Sequence, residues 1–273
     1  MLDKRTVRLL VFLCALVVSL TVVAKAVYLK RQETASFLLE HSLFEDVSFS
    51  TRTANTQSVK PVQNDSDEEN NYIAYIPSEF RQEVRITCRY IKEVWIDDKK
   101  YTAGDCLTGV REGVRYCIEL YAKGGDLTET GWITFYFAEN IPSLYINTDS
   151  GSMDAVNAST DHSYAELATF MAIEENGTVS GSGRCTIKGR GNSTWTSNIA
   201  VKKPYNIETE AEVPLLGMGK QTKWSLLANL YDGSQLRNWL AYDVAQKLGM
   251  PSAVETKFAN VYLNGRYNGL YLV

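Results

Sequence analysis

Residues 181–205 read GSGRCTIKGRGNSTWTSNIAVKKPY and hold the clearest concentration of side chains with a chemical use. From Arg184 to Lys203 there are five Lys or Arg and no Asp or Glu, in a chain of net charge −4. Gly189 and Gly191 alternate with Lys188 and Arg190, and Asn192, Ser193 and Thr194 follow. Glycines let the backbone turn and aim its N–H groups at one spot. Guanidinium and hydroxyl groups add donors, so the stretch suits phosphate, each hydrogen bond to a charged group contributing roughly 1.5–3 kcal/mol. An exposed hairpin turn with solvated charges has the same composition, and spacing does not separate the two. The order GxxxxGK[ST] is absent, and GRGNST keeps only the first two glycines of GxGxxG. Lys202 and Lys203 sit in VKKPYNIE, a strand pattern in which neighbours face opposite sides, so one lysine can reach the turn. Phosphoryl-transfer enzymes clamp phosphates with a lysine on such a strand; a lysine pair also protects an edge strand from aggregation. Arg237 falls in the first turn of a helical pattern, where the dipole disfavours a cation. A buried partner or an anion would explain it, and so would a packed stem with its head in solvent.

Other chemistries are excluded more firmly. The chain has two histidines, His41 and His162, and neither lies in a zinc or Ser-His-Asp pattern. No CxxC pair exists, which removes zinc-ribbon and thioredoxin-like sites. A mildly acidic balance argues against a nucleic-acid partner. With 273 residues and 45% apolar content the chain has room for about two packed domains.

The elements that position the basic stretch follow from patterning. Lys4, Arg5 and Arg8 precede an apolar run from Leu9 to Ala24, and Ala24-Lys25-Ala26 resembles a signal-peptidase site. Residues 1–31 therefore read as a signal peptide or, extended past Lys25, an uncleaved signal anchor, and the rest as exported, secreted or membrane-anchored. Residues 32–71 carry eight Asp or Glu against two Lys or Arg and read as an acidic flexible linker, with FLLEHSLF a short helix at most. Residues 72–140 alternate as short strands, VRITCRY, EVWIDDKKY, RYCIELYA and WITFYFA, the pattern of a small β-sandwich-like module. Cys106 and Cys117 could staple a hairpin there or stay as buried thiols; with Cys88 and Cys185 they allow three complete pairings.

Residues 141–273 mix strands with one main helix. Ser234 is its expected cap, Leu236, Leu240, Val244 and Leu248 form an apolar stripe, and Gly249 and Pro251 end it. Asp243 and Lys247 are spaced to pair. In KFANVYLNGRYNGLYLV, Asn264-Gly265 marks a type I′ hairpin. The fold class expected is α+β: an N-terminal helix, an all-β module, and a mostly antiparallel β region with one helix.

Six blocks in order, IPSLYINTD, TIKGRGNSTW, KKPYNIE, LLGMGKQTKWSLLANLYD, LRNWLAYDVAQKLGM and VYLNGRYNGLYLV, resemble the CotH kinase family, named after spore coat protein H. The resemblance covers Ile141–Val273. It implies an atypical protein kinase with a two-lobed, eukaryotic-kinase-like fold that uses ATP and Mg2+ and phosphorylates Ser or Thr of a coat or surface protein. Carried onto this chain, it makes Gly189–Thr194 the phosphate-facing turn and Lys203, then Lys202, the nucleotide lysine. It sets Arg237 and Asn238 on a helix behind the site and turns the ambiguous YAELATFMAIE into a strand. The family continues into a second lobe bearing the catalytic aspartate and metal ligands. The resemblance therefore implies a truncated first lobe, inactive by itself, with LYLV left exposed at its end. Asp232 and Asp243 receive no catalytic role from it, and residues 234–249 offer no Glu for a Lys–Glu pair. The alternative is a non-catalytic surface adhesion or scaffold protein.

Overall fold

The structure is a computed structural model that describes residues 4–51, 57–64, 70–80, 83–125, 127–196 and 202–273, with side chains from Ala15 onward. It is an α+β protein dominated by two β-sheets. Helix α1 spans Lys4–Glu40 and contains the apolar run. Among the described residues no helix is long and apolar enough to cross a membrane. The side chains of residues 1–14, which include the start of that run, lie outside the described residues, as do 65–69 and 197–201.

The first sheet has the order β2-β3-β8-β7-β5-β6, built from Val62–Gln63 (β2), Asn71–Ile76 (β3), Ile91–Ile96 (β5), Lys99–Tyr101 (β6), Arg115–Ala122 (β7) and Thr128–Phe137 (β8). Strands β3 and β8 run parallel and the other neighbours antiparallel. A ribbon of β1 (Ser48–Ser50) and β4 (Arg85–Thr87) shares its core, where Phe49, Ile86, Val94, Ile118, Leu120 and Phe135 are buried. Apolar residues alternate along β5, β7 and β8, so one face of the sheet is the inner one.

Of the stretch expected to be a flexible linker, residues 32–71, the described parts up to Val59 are folded, while 52–56 and 65–69, with most of its acidic run, lie outside the described residues. Helix α1 runs through Glu40, and Leu43, Phe44, Val47, Phe49 and Val59 are core residues of the β-module. The acidic composition hid this because one acid is structural. The Asp46 carboxylate accepts the backbone N–H groups of Arg89, Tyr90 and Ile91 at 2.7–3.1 Å. Cys88, Cys117 and Cys185 are free thiols.

The second sheet has the order β13-β12-β11-β10-β9-β14-β15. Its strands are Ser143–Thr148 (β9), Ala165–Ile173 (β10), Val179–Gly189 (β11), Tyr205–Val213 (β12), Gln221–Leu226 (β13), Phe258–Leu263 (β14) and Arg266–Leu272 (β15). Only β14 and β9 are parallel. YAELATFMAIE is therefore a strand. Asn264 (φ 52°) and Gly265 (φ 78°) form the hairpin turn between β14 and β15, both in the left-handed region that a type I′ turn requires. Leu227 and Leu272 exchange backbone hydrogen bonds at 2.8 and 3.2 Å, which draws the two outer strands together and nearly closes the sheet into a barrel. That closure buries Tyr271, Leu272 and Val273, so LYLV is not the exposed end expected of it.

Short helices α2 (Asp154–Ala158) and α3 (Ser193–Thr196) pack beside this barrel, and α4 covers Arg237–Lys247. Gly249 (φ 64°) and Met250 turn their N–H groups back onto the carbonyls of Gln246 and Ala245, the C-terminal cap its sequence calls for. The apolar stripe of α4 is not a core face. No residue of the helix is buried, and Leu236, Leu240, Val244 and Leu248 are 44–72% exposed.

The two sheets touch through a polar and aromatic seam. Glu79, before β4, accepts the Tyr145 hydroxyl at 2.5 Å and the Ser143 hydroxyl at 3.0 Å. Tyr75 meets Tyr267 in a tilted ring contact with centroids 4.2 Å apart, and the Lys60 N–H bonds the Gly265 carbonyl at 2.7 Å.

Candidate functional site

The basic stretch folds as the end of β11, a turn, and α3. Its glycines are explained by close packing. A Cβ on Gly189 would lie 2.5 Å from the Trp195 ring, and one on Gly191 (φ 82°) would lie 2.4 Å from the Thr194 hydroxyl. Trp195 is 2% exposed, and its indole N–H donates to the Ser159 carbonyl at 2.9 Å. The Asn192 carbonyl accepts the N–H groups of Trp195 and Thr196, starting α3, and the side chains of Asn192 and Ser193 stay exposed.

The five cations diverge. Arg184 makes two 2.7 Å bonds to Asp149. Lys188 is exposed. Lys203 reaches the Asn157 carbonyl at 3.2 Å with its ammonium 4.4 Å from the Trp195 centroid. Lys202 turns the other way, to the Leu270 carbonyl at 2.7 Å and Gln235 at 3.4 Å, and burial lowers its pKa. The two lysines thus face opposite sides, as adjacent positions require, and neither lines the two hollows that Arg190 faces. Cys185, within the stretch, is buried, and burial pushes its thiol up to about 11, so it is not poised as a nucleophile.

Arg190 does face a concavity. It lines a cavity of about 280 Å³ with Thr194, Asn229, Asp232, Arg237 and Asn238, and a second of about 680 Å³ with Trp224, Leu227, Tyr242 and Glu255. Arg190 and Leu227 are common to both. The structure therefore brings Arg190 and Arg237, 47 positions apart in the chain, to one hollow. Trp224 is 8% exposed, and its indole N–H is buried with no hydrogen-bond partner among the described residues.

Asp232 organises the smaller hollow. It accepts the Ser234 hydroxyl (2.6 Å), the Ser234 N–H (3.0 Å) and the Arg237 N–H (2.8 Å), with the Arg237 guanidinium 3.6 Å away. The Ser234 hydroxyl, then the Arg237 N–H, hold its carboxyl below the ordinary range. Asp232 thus offsets the unfavourable position of Arg237 at the helix start, and the Arg237 head remains 79% exposed. Ser234, the expected cap, instead accepts the Leu236 N–H at 3.3 Å and donates to Asp232. Gln235 ties Lys202 to this loop by donating to the Asn229 and Asp232 carbonyls. Asp243 pairs with Lys247 at 2.7 Å, as its spacing expects.

This arrangement of a glycine-bearing strand end, an arginine at the junction of two hollows and a following helix lies in the part of the chain with recognisable relatives. Residues 187–273 match the family model of the CotH kinase protein. The CotH match starts in β11 and runs through β15, so it includes every candidate residue from Gly189 to Arg237. It is narrower than the resemblance from Ile141, leaving β9, β10 and the β-module outside. No curated protein matches the chain. Among solved structures it is similar to surface layer protein SbsC, domains 4–9, with 11% identity, 68% of this chain and 39% of that one covered, and a TM-score of 0.19. The CotH match relates the segment to kinase-like proteins and, loosely, to nucleotide use.

Trp224 and Tyr242 are the site residues that sequence reasoning missed. TKWSL reads as an ordinary strand, and nothing in its spacing shows that the indole N–H lacks a partner.

Proposed function

We propose that the chain is an exported CotH-type protein whose 141–273 region holds ATP in the joined hollows at Arg190, for phosphoryl transfer to Ser or Thr of a coat or surface protein. The observation that carries this reading is Arg190 at the junction of two hollows, one lined by the aromatic Trp224 and Tyr242 and the other by Arg237. A planar base fits beside Trp224 and Tyr242. The phosphates extend past Arg190 toward Arg237. ATP supplies the phosphoryl group when bound; this chain's residues bind and orient it. Lys202 and Lys203 act on the frame, Lys202 by bracing the 229–235 loop through Gln235 and Lys203 by fixing Trp195 and α2.

The described residues form no ready-made Mg2+ cage, and Mg2+ at such a site would depend on nucleotide phosphates for most of its ligands. Among the described residues no three His, Cys, Asp or Glu are grouped as a metal site. Asp232, the carboxylate of the smaller hollow, is committed to Ser234 and Arg237. No metal step is assigned to these residues. The second reading, a non-catalytic adhesion or scaffold protein, is favoured by Lys202, Lys203 and Gly189 all having structural partners. Thermal melts separate the two. ATP, adenosine and inorganic triphosphate should each raise the melting temperature, ATP most. A melt unmoved by all three supports the scaffold.

A further inference from the structure

A groove outside the CotH-matched segment carries a separate function. Helix α1 docks on the β-module through its last turns only. Phe37 stacks on Tyr90 at 4.2 Å, Glu33 pairs with Arg89 at 2.7 Å, and Leu38 packs on the core. Just before this contact, α1 and the turn between β7 and β8 enclose a groove of about 710 Å³. Val27, Ala35 and Leu38 give it an apolar floor, and Lys30, Arg31 and Lys123 give it a cationic rim. No acid is among its lining residues, and neither Lys30 nor Arg31 has an ion pair among the described residues. Lys123 is steered inward by donating to the Arg89 carbonyl at 2.7 Å.

Position on the helix identifies what such a groove meets. Lys30 and Arg31 lie six and seven residues beyond Ala24, the end of the apolar run. At 1.5 Å per residue this is about 10 Å. That is the depth of a phospholipid headgroup layer and about one Debye length. We propose that the groove between α1 and the β7–β8 turn binds the headgroup of an anionic phospholipid, the phosphate between Lys30, Arg31 and Lys123 and the glycerol against Val27 and Ala35. The proposal rests on α1 entering a membrane, as the N-terminal pattern expects, and not on nucleotide binding. Bound lipid would fix the β-module, and the sheet attached to it, at a set height and orientation above the bilayer.

The test uses the full chain in nanodiscs of phosphatidylcholine alone or of equimolar phosphatidylcholine and phosphatidylglycerol. Hydrogen exchange is followed at residues 27–38 and 121–125. Exchange in both segments should slow in the anionic discs, and raised salt should reverse the effect. Lys30→Gln and Arg31→Gln are exposed changes, and Lys123→Gln keeps a donor for Arg89. Each should weaken the headgroup effect about five-fold, the worth of one cation at an anionic surface. Equal exchange in both discs, with the protein retained by both, would overturn the lipid site alone. Slowing that survives all three substitutions would overturn the residue assignment. Protein held by neither disc would remove the membrane placement on which the site depends.

Discussion

Adding a single methyl group at Gly189 tests whether its glycine exists for packing or for phosphate. The backbone there is not left-handed, so alanine brings no φ strain; the cost is contact. Its Cβ would sit 2.5 Å from two carbons of the Trp195 ring and 2.8 Å from a third. The ring has little room to retreat. Its N–H is tied to Ser159 at 2.9 Å, Tyr205 and His162 meet it edge to face at 5.9 and 5.2 Å, and Lys203 lies over it. Overpacking of this kind costs about 1–3 kcal/mol, and with about 2–4 °C lost per kcal/mol at this chain length, Gly189→Ala should melt roughly 3–10 °C lower by calorimetry. Adding Trp195→Leu should recover part of the loss, with a coupling of about 1 kcal/mol in the double-mutant cycle. A Gly189→Ala protein that melts like the wild type but no longer binds ATP would refute the packing account and restore the turn as a phosphate cradle.

The seam between the sheets should titrate. Burial raises the pKa of Glu79, against the hydrogen bonds from Tyr145 and Ser143. A carboxyl with a raised folded pKa holds its proton more tightly when folded, so its contribution falls as pH rises from the ordinary Glu range through the folded value. Glu79→Gln should therefore gain on the wild type as pH increases, and a constant difference in melting temperature from acid to neutral pH would contradict this. In the β-module, Asp46→Ala leaves three backbone N–H groups without their acceptor. A loss of about 2 kcal/mol in urea unfolding is expected, and a loss below about 0.5 kcal/mol would return residues 42–50 to the status of a linker.

The sequence made local structure legible and long-range partnership illegible. The Asn264-Gly265 turn, the Gly249 cap and the Asp243–Lys247 pair are set by neighbours within a few residues, and each is where its chemistry puts it. The CotH blocks located the right segment and turned residues 165–173 from an ambiguous pattern into a strand. What failed depended on distant groups. The acidic stretch read as a linker because Asp46 finds its donors some 45 residues away, at Arg89–Ile91. The α4 stripe looked like a core face because periodicity shows amphipathicity and not what lies opposite. The site candidates divided for the same reason. Arg190 and Arg237 converge because the β12–β13 hairpin and the 229–236 loop lie between them. Lys202 and Lys203 are drawn to the Leu270 and Asn157 carbonyls, acceptors without any signature in the sequence.

Calorimetric titration of the full chain with ATP tests the central claim most directly, with Arg190→Ala and Trp224→Phe beside the wild type. Arg190 stands at the junction of the hollows, and Trp224 lines the larger one. Loss of one charge-assisted hydrogen bond, about 2 kcal/mol, weakens binding roughly 30-fold. The account predicts saturable binding to the wild type, about 30-fold weaker in Arg190→Ala and about five-fold weaker in Trp224→Phe, which shrinks the ring surface beside the base and removes about 1 kcal/mol of stacking. No heat of binding with the wild type, or equal affinity in all three proteins, would contradict it.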